Sequence, residues 1–111
     1  MIGQEKTTLT FTIPLYLHEE ISCRAKPAKH GHASELLSRL EESLSMYPCI
    51  SESFGEVQKL KYLLSSKDFV KKSSVLMPAN LHQKLKCASA DAGHSMSVDL
   101  AFRIQKIYRD Q

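Results

Sequence analysis

The sequence predicts a small, mostly α-helical fold with two short β-strands, organised as two similar strand–helix–helix units. Three observations support this. Two segments alternate apolar and polar residues and end at a proline, which is typical of short strands. Each is followed by two segments with apolar residues at helical spacing. The second unit repeats the first, 64 positions later, without a gap.

The repeat is supported by eight identities in the 31 positions from Pro14 to Leu44, when each is compared with the residue 64 positions later. The identical residues of the first unit are Pro14, Leu17, His18, Cys23, Ala28, His30, Leu36 and Arg39. Shared secondary structure explains part of the match, but it does not explain why proline, cysteine, histidine and arginine all recur in one register. Because units of about 40 residues rarely fold alone, we expect them to share one core.

The first unit begins with a strand over Thr8–Pro14. A helix is predicted from about Leu15 to Lys29. Pro27 should end it early or kink it, since a proline inside a helix costs about 3 kcal/mol or more. A second helix is predicted from Ala33 to Met46, with Gly31 as its N-cap.

The second unit begins with a strand over Lys72–Pro78. Gly93 is expected to end its first helix, and Ser95 to cap the N-terminus of its second. The units are therefore assigned to residues 7–46 and 72–110.

Residues 47–71 have no counterpart in the repeat and are predicted to connect the two units. Their apolar residues predict a short amphipathic helix over Glu56–Ser65. We expect this helix to cap the shared core. A protein-docking face is the alternative.

Composition limits the function classes. No apolar run approaches the roughly 20 residues of a membrane-spanning helix. No signal-peptide pattern is visible, so we expect a cytoplasmic protein without a membrane partner. Cys23 and Cys87 occupy equivalent helix positions and are expected to be small buried residues in a reducing compartment.

The net charge of +3 is unevenly distributed, with −2 in residues 1–55 and +5 in residues 56–111. This basic bias is compatible with nucleic-acid binding but does not require it.

The two units resemble the ribbon-helix-helix family of DNA-binding proteins, whose members include the MetJ and Arc repressors. The resemblance is carried by Thr8–Pro14, followed by the helix start His32–Leu37, and by Lys72–Pro78, followed by Gly93–Ser97. It implies that the two strands pair as an antiparallel ribbon that enters the DNA major groove. The chain would then be a tandem ribbon-helix-helix protein, an intramolecular pseudo-dimer with one core.

The resemblance places the base-contacting residues two, four and six positions before each proline. In this sequence they are Thr8, Thr10, Thr12, Lys72, Ser74 and Leu76. Hydroxyl groups donate or accept hydrogen bonds, a lysine contacts guanine or phosphate, and a leucine contacts the thymine methyl group. On their own, alternating threonines favour a plain solvent-exposed strand face; the repeat is what favours DNA contact.

The family also binds DNA phosphates at the N-terminus of each second helix, where backbone N–H groups are free. The matching residues here are His30, Gly31, His32, His94, Ser95 and Met96. Two histidines around Gly31 are also a metal-ligand spacing. No cysteine or carboxylate is placed to complete such a site, so we expect neither metal nor cofactor.

Two units in one chain are similar to the TraY family, accessory DNA-binding proteins of conjugative plasmids. Arg39–Leu40, followed by Tyr47–Pro48 after the second helix, is similar to that family's pattern at the same place. The resemblance implies a relaxosome protein that binds the origin of transfer and regulates transcription. The implied partners are double-stranded DNA, a relaxase or another relaxosome protein, and further copies bound side by side.

Four other functions are alternatives to this one. The main alternative is a phage or plasmid transcriptional repressor without a role in conjugation. An antitoxin is not favoured, because it would be expected to carry a toxin-binding tail after the last helix, and the sequence shows no such segment after that helix. A protein-interaction module remains open. We do not expect an enzyme, because His18 and Cys23 lie about 140° apart around a helix and no phosphate-binding loop or carboxylate pair is visible.

Overall fold

The computed structural model describes residues 5–47, 54–66 and 68–110, which form five helices and two strands. In chain order the elements are β1 (Lys6–Pro14), α1 (Leu15–Ala28), α2 (His32–Met46), α3 (Phe54–Ser65), β2 (Val70–Pro78), α4 (Ala79–Ala92) and α5 (Met96–Asp110). No helix in the described ranges is both long and apolar enough to cross a membrane.

The two strands form a two-stranded antiparallel sheet, with Thr10 opposite Ser74 at its centre. Each strand begins two residues earlier than its sequence pattern predicted. The reason is the register, which pairs Lys6 with Pro78 and Pro14 with Val70, so that each strand is paired along its full nine residues.

Every element of the second unit begins and ends 64 residues after its counterpart in the first. Hydrogen bonds at the ends of the ribbon follow the same spacing. The N–H of Leu15 donates to the carbonyl oxygen of Phe69 (2.8 Å), and the N–H of Ala79 donates to that of Glu5 (2.9 Å). The sequence repeat is therefore also a repeat of local structure.

The apolar face of the ribbon covers a core to which both units contribute. Side chains of both strands and of all five helices belong to one buried cluster. Its fully buried members include Ile13, Ile21, Leu40, Leu85 and Ile104. Burying such a side chain completely stabilises the fold by roughly 1.5–3 kcal/mol, so each unit depends on apolar area that the other supplies.

The prediction that Cys23 and Cys87 are buried is wrong, because both are exposed. The inward face of α1 is formed by Leu17, Ile21 and Ala25, four residues apart. Cys23 lies two residues beyond Ile21 and is therefore about 200° around the helix, on the solvent side. Cys87 has the same relation to the buried Leu85.

Of the two effects predicted for Pro27, an early helix end or a kink, the early end is not observed, since α1 continues through the proline to Ala28. The proline lies in the last turn and is exposed. The chain leaves the helix at Lys29, in left-handed conformation (φ 57°), whose N–H donates to Lys26 and Ala25. A proline this close to the end removes only a terminal hydrogen bond.

The connector helix α3 is confirmed and starts two residues earlier than predicted. It packs against α5 and β1 through the buried side chains of Val57 and Leu60. At its surface Glu56 accepts a hydrogen bond from Arg109 (2.9 Å). The helix therefore extends the core on one side of the molecule.

One exposed residue before β2 has an unusual backbone. Phe69 adopts a positive φ of 62°, and its side chain is 75% exposed. A left-handed conformation costs a bulky residue roughly 1–2 kcal/mol, and a ring that is three-quarters exposed offsets little of that cost.

Candidate nucleic-acid interface

The six residues predicted to contact bases lie together on the outer face of the ribbon. Successive side chains of a strand alternate between faces, and directly paired residues share one. The outward set consists of Thr8, Thr10, Thr12, Lys72, Ser74 and Leu76, of which all but the half-buried Thr12 are exposed. The opposite face buries Leu9, Phe11, Ile13, Val75 and Met77 in the core.

The register fixes which of these residues are neighbours. Thr12 is opposite Lys72, and Thr8 is opposite Leu76. From Thr8 to Thr12 the face extends about 13 Å, at roughly 3.4 Å per residue. A two-stranded ribbon fits the major groove, which is about 12 Å wide.

Sequence reasoning missed one residue of this face. Lys6 is exposed, lies opposite Pro78, and continues the alternation of Thr8 and Thr10. The signal was that alternation, which extends to Lys6 in the sequence. With Lys6 and Lys72, the outer face carries two positive charges, and none of its described residues is acidic.

The N-termini of α2 and α5 are built alike at the backbone but capped differently. Gly31 precedes α2 in extended conformation without a side-chain cap, as predicted from the sequence. Ser95 precedes α5, and its Oγ accepts a hydrogen bond from the N–H of Val98 (3.2 Å). Gly93, which ends α4 at φ 75°, is likewise confirmed as a helix end.

Two of the six predicted phosphate contacts have their backbone donors occupied. The N–H of His30 donates to Ala25 (3.3 Å), and the N–H of His94 donates to Ser89 (3.1 Å). These bonds close the ends of α1 and α4. In the described ranges, the N–H groups of the other four residues have no intramolecular acceptor; these residues are Gly31, His32, Ser95 and Met96.

The histidine side chains at these turns face the protein. His30 Nε2 donates to Glu35 Oε1 (2.8 Å). The ring of His94 is buried, and its Nε2 lies 3.3 Å from Asp99 Oδ2. The ring of His32 lies against that of His18, with 4.5 Å between centroids. The rings of His30 and His32 thus have different neighbours and do not form a metal-ligand pair with each other.

Burial lowers the pKa of His32, and the charge of His18 lowers it further. Both effects outweigh the hydrogen bond that His32 makes to the backbone of His18, which favours the protonated ring. The first turn of α2 therefore carries a neutral imidazole at neutral pH.

An acidic residue in the first turn of each second helix points into the core. Glu35 accepts a hydrogen bond from the hydroxyl of Tyr108 (2.8 Å), in addition to that from His30. Burial opposes the ionisation of Glu35, but these two hydrogen bonds, together with the nearby charges of Arg39 and His30, outweigh it and hold the pKa of Glu35 below the usual value. Burial and the contact with Glu35 raise the pKa of Tyr108.

Asp99 takes the equivalent place in α5. It is fully buried and accepts a hydrogen bond from the Nε of Arg103, which is also fully buried. The guanidinium of Arg103 also donates to the carbonyl oxygens of Ser43 and Tyr47 at the end of α2. This network fixes the start of α5 against the end of α2, and the sequence analysis did not anticipate its burial.

No protein-family model matches this sequence, and no curated protein or solved structure is significantly similar to it.

Proposed function

We propose that the protein is a sequence-specific double-stranded DNA-binding protein that inserts the outer face of its β1–β2 ribbon into the major groove. One observation carries this proposal. Six exposed or half-exposed residues able to contact base edges share one face of a two-stranded ribbon, while the other face is anchored in the core. A rigid support for the contacting residues favours selective recognition because little order has to be gained on binding.

The repeat supports a tandem ribbon-helix-helix organisation, in which the two units form an intramolecular pseudo-dimer. Thr10 and Ser74 are equivalent in the repeat and are also direct partners in the sheet. A two-fold axis between them relates β1 to β2 and carries Thr8 onto Lys72. In the proposed pseudo-dimer, the same axis would relate the N-terminus of α2 to that of α5.

The free N–H groups at those helix starts supply the second part of the proposed interface. Backbone donors at a helix N-terminus bind phosphate without reading sequence and fix the register of the protein on the duplex. We assign this role to Gly31, His32, Ser95 and Met96. We assign no direct phosphate contact to the inward-facing side chains of His30 and His94.

We propose a binding role rather than catalysis. His30 is hydrogen-bonded to Glu35, the buried ring of His94 lies 3.3 Å from the carboxylate of Asp99, and the cysteines lie on the solvent side of their helices. None of these groups is arranged as a nucleophile with a base.

The biological setting follows from where the recognised site lies. An accessory protein of the conjugative relaxosome should bind next to the relaxase nick site at the origin of transfer. A plasmid or phage repressor should bind over a promoter and nowhere near such a site. The same ribbon chemistry serves both.

The proposal is tested by incubating the pure protein with duplex fragments of its own replicon at two salt concentrations and sequencing those retained. We expect one short region to be retained, with affinity falling steeply as salt rises because phosphate contacts release counterions. The Thr10→Ala/Ser74→Ala variant should lose about tenfold or more in affinity for that region, since each hydrogen bond contributes roughly 0.5–1.5 kcal/mol.

A matched control changes the same residue types on the other face of the ribbon. Thr7 and Ser73 are direct neighbours of the contacting residues but do not lie on the outer face. Thr7→Ala/Ser73→Ala should therefore keep its preference for the retained region. Retention of no fragment, or equal loss in both double variants, would overturn the role of the outer face.

A further inference from the structure

The two ends of the ribbon present different chemistry. At one end Thr12 is paired with Lys72, so that this end carries one hydroxyl and one positively charged side chain. At the other end Thr8 faces Leu76, whose side chain is 54% exposed and is the apolar member of the contacting set. The central pair, Thr10 and Ser74, carries two hydroxyls. The two-fold axis of the backbone is therefore not a symmetry of the contacting side chains.

We propose that the protein recognises a non-palindromic site with a G·C base pair under the Lys72 end and an A·T base pair under the Leu76 end. This rests on the DNA-binding function proposed above. The Lys72 ammonium donates to the O6 and N7 acceptors that guanine presents in the major groove. The leucine side chain neither donates nor accepts hydrogen bonds, and the apolar group that it can contact in that groove is the C5-methyl group of thymine.

The dimensions fix the size of the discriminating core. Lys72 and Leu76 lie four residues apart on one strand, which is about 13 Å. At about 3.4 Å per base pair, this distance corresponds to roughly four base pairs. The central hydroxyl pair lies between them and can donate or accept, so it tolerates more than one base.

Lys6 does not restore symmetry. It lies four residues from the central Thr10, about 13 Å away, whereas Lys72 lies two residues from the central Ser74, about 7 Å away. Lys6 is thus beyond the four-base-pair core, and we assign it to the DNA backbone.

The connector adds to the difference between the ends. The N–H of Thr12 donates to Ser97 Oγ in the first turn of α5 (3.0 Å), so α5 starts at the Lys72 end. Lys61 of α3 lines the same groove as Thr12 and Ser97. Within the described ranges Lys61 makes no ion pair. It adds positive charge at this end alone, because α3 has no counterpart in the repeat.

The test selects binding sites for the pure full-length protein from a pool of random-sequence duplexes. The wild-type protein should enrich a non-palindromic site with guanine at one end and thymine at the other. The key variant is Lys72→Thr/Leu76→Thr, which gives β2 hydroxyl side chains at all three contacting positions, as in β1. It should enrich a near-palindromic site and lose about tenfold or more of the preference for guanine.

A matched control is Lys71→Thr, which removes an exposed lysine from the same strand but not from its outer face. It should keep the asymmetric site while weakening the salt dependence slightly. Circular dichroism checks that all three proteins are folded. A palindromic wild-type site, or an asymmetric site retained by the double variant, would overturn this inference but leave the DNA-binding proposal intact. Enrichment of no sequence would overturn both.

Discussion

Replacing Arg103 by leucine tests whether the two units are held together by the buried network at the start of α5. The guanidinium is fully buried, pairs with the buried Asp99, and donates to the carbonyl oxygens of Ser43 in the first unit and of Tyr47 directly after that unit. Removing one partner of a buried ion pair costs about 3–5 kcal/mol, because an uncompensated charge is left inside. Domains of this kind have only about 5–15 kcal/mol of stability in total.

The assay is urea unfolding followed by circular dichroism. With a denaturant slope of about 1.5 kcal/mol per molar, the expected loss lowers the midpoint by about 2–3 M. The repeat provides the control, since Arg39 is the counterpart of Arg103 but keeps 26% of its side chain exposed beside Glu35 and Glu42. Arg39→Leu should cost less than Arg103→Leu, because Arg39 and its partner Glu42 both keep contact with water, so that less buried charge is left uncompensated.

A double variant separates the cost of leaving the Asp99 carboxylate buried without its partner from the cost of losing the contacts that Arg103 makes. Asp99→Ala/Arg103→Leu leaves no uncompensated carboxylate and should be more stable than Arg103→Leu alone. Equal midpoints for Arg103→Leu and Arg39→Leu would refute the reasoning, since the fully buried and the partly exposed arginine would then contribute alike.

Three further outcomes concern side chains outside that network. Burial and His18 lower the pKa of His32, so the unfolded chain takes up a proton before the folded protein does, and stability should be lost as the pH falls below about 6.5. His32→Met places the residue of the second unit at this position and removes the titrating group. Between about pH 7 and about pH 5, the Tm of this variant should fall less than that of the wild-type protein. Phe69→Gly replaces a bulky residue in left-handed conformation by one that adopts it without strain, and the ring that is lost is largely exposed. Urea unfolding should therefore show a gain of about 1 kcal/mol in the free energy of unfolding. A clear loss would mean that the ring is packed. Cys23 and Cys87 should react with a thiol reagent in the folded protein nearly as fast as in urea, measured peptide by peptide; protection of either would contradict their exposure.

The elements were predictable because their signals are local. Alternation before Pro14 and Pro78 marks the strands, and Gly93 followed by Ser95 marks one helix end and the next helix start. The repeat then required a common arrangement of both units. The resemblance supplied the antiparallel pairing, which the register centred on Thr10 confirms.

Burial of individual polar residues was not predictable, because it depends on contacts between distant parts of the chain. Arg103 follows Leu100 at helical spacing, but arginine is rarely buried, and the carbonyl groups that satisfy it lie about 60 residues away. The burial predicted for Cys23 and Cys87 was wrong for a different reason. Their equivalent positions in the repeat indicated that they share an environment, but not whether that environment is the core or the solvent.

Both strands of the ribbon belong to one chain, and this decides how the protein behaves on dilution. Pairing Pro14 with Val70 closes a loop of about 55 residues, at an entropic cost of about 3.5 kcal/mol plus a constant. That cost is the same at every concentration. A ribbon assembled from two separate chains comes apart as they become scarce. This chain keeps its ribbon even when a cell holds only a few molecules of it.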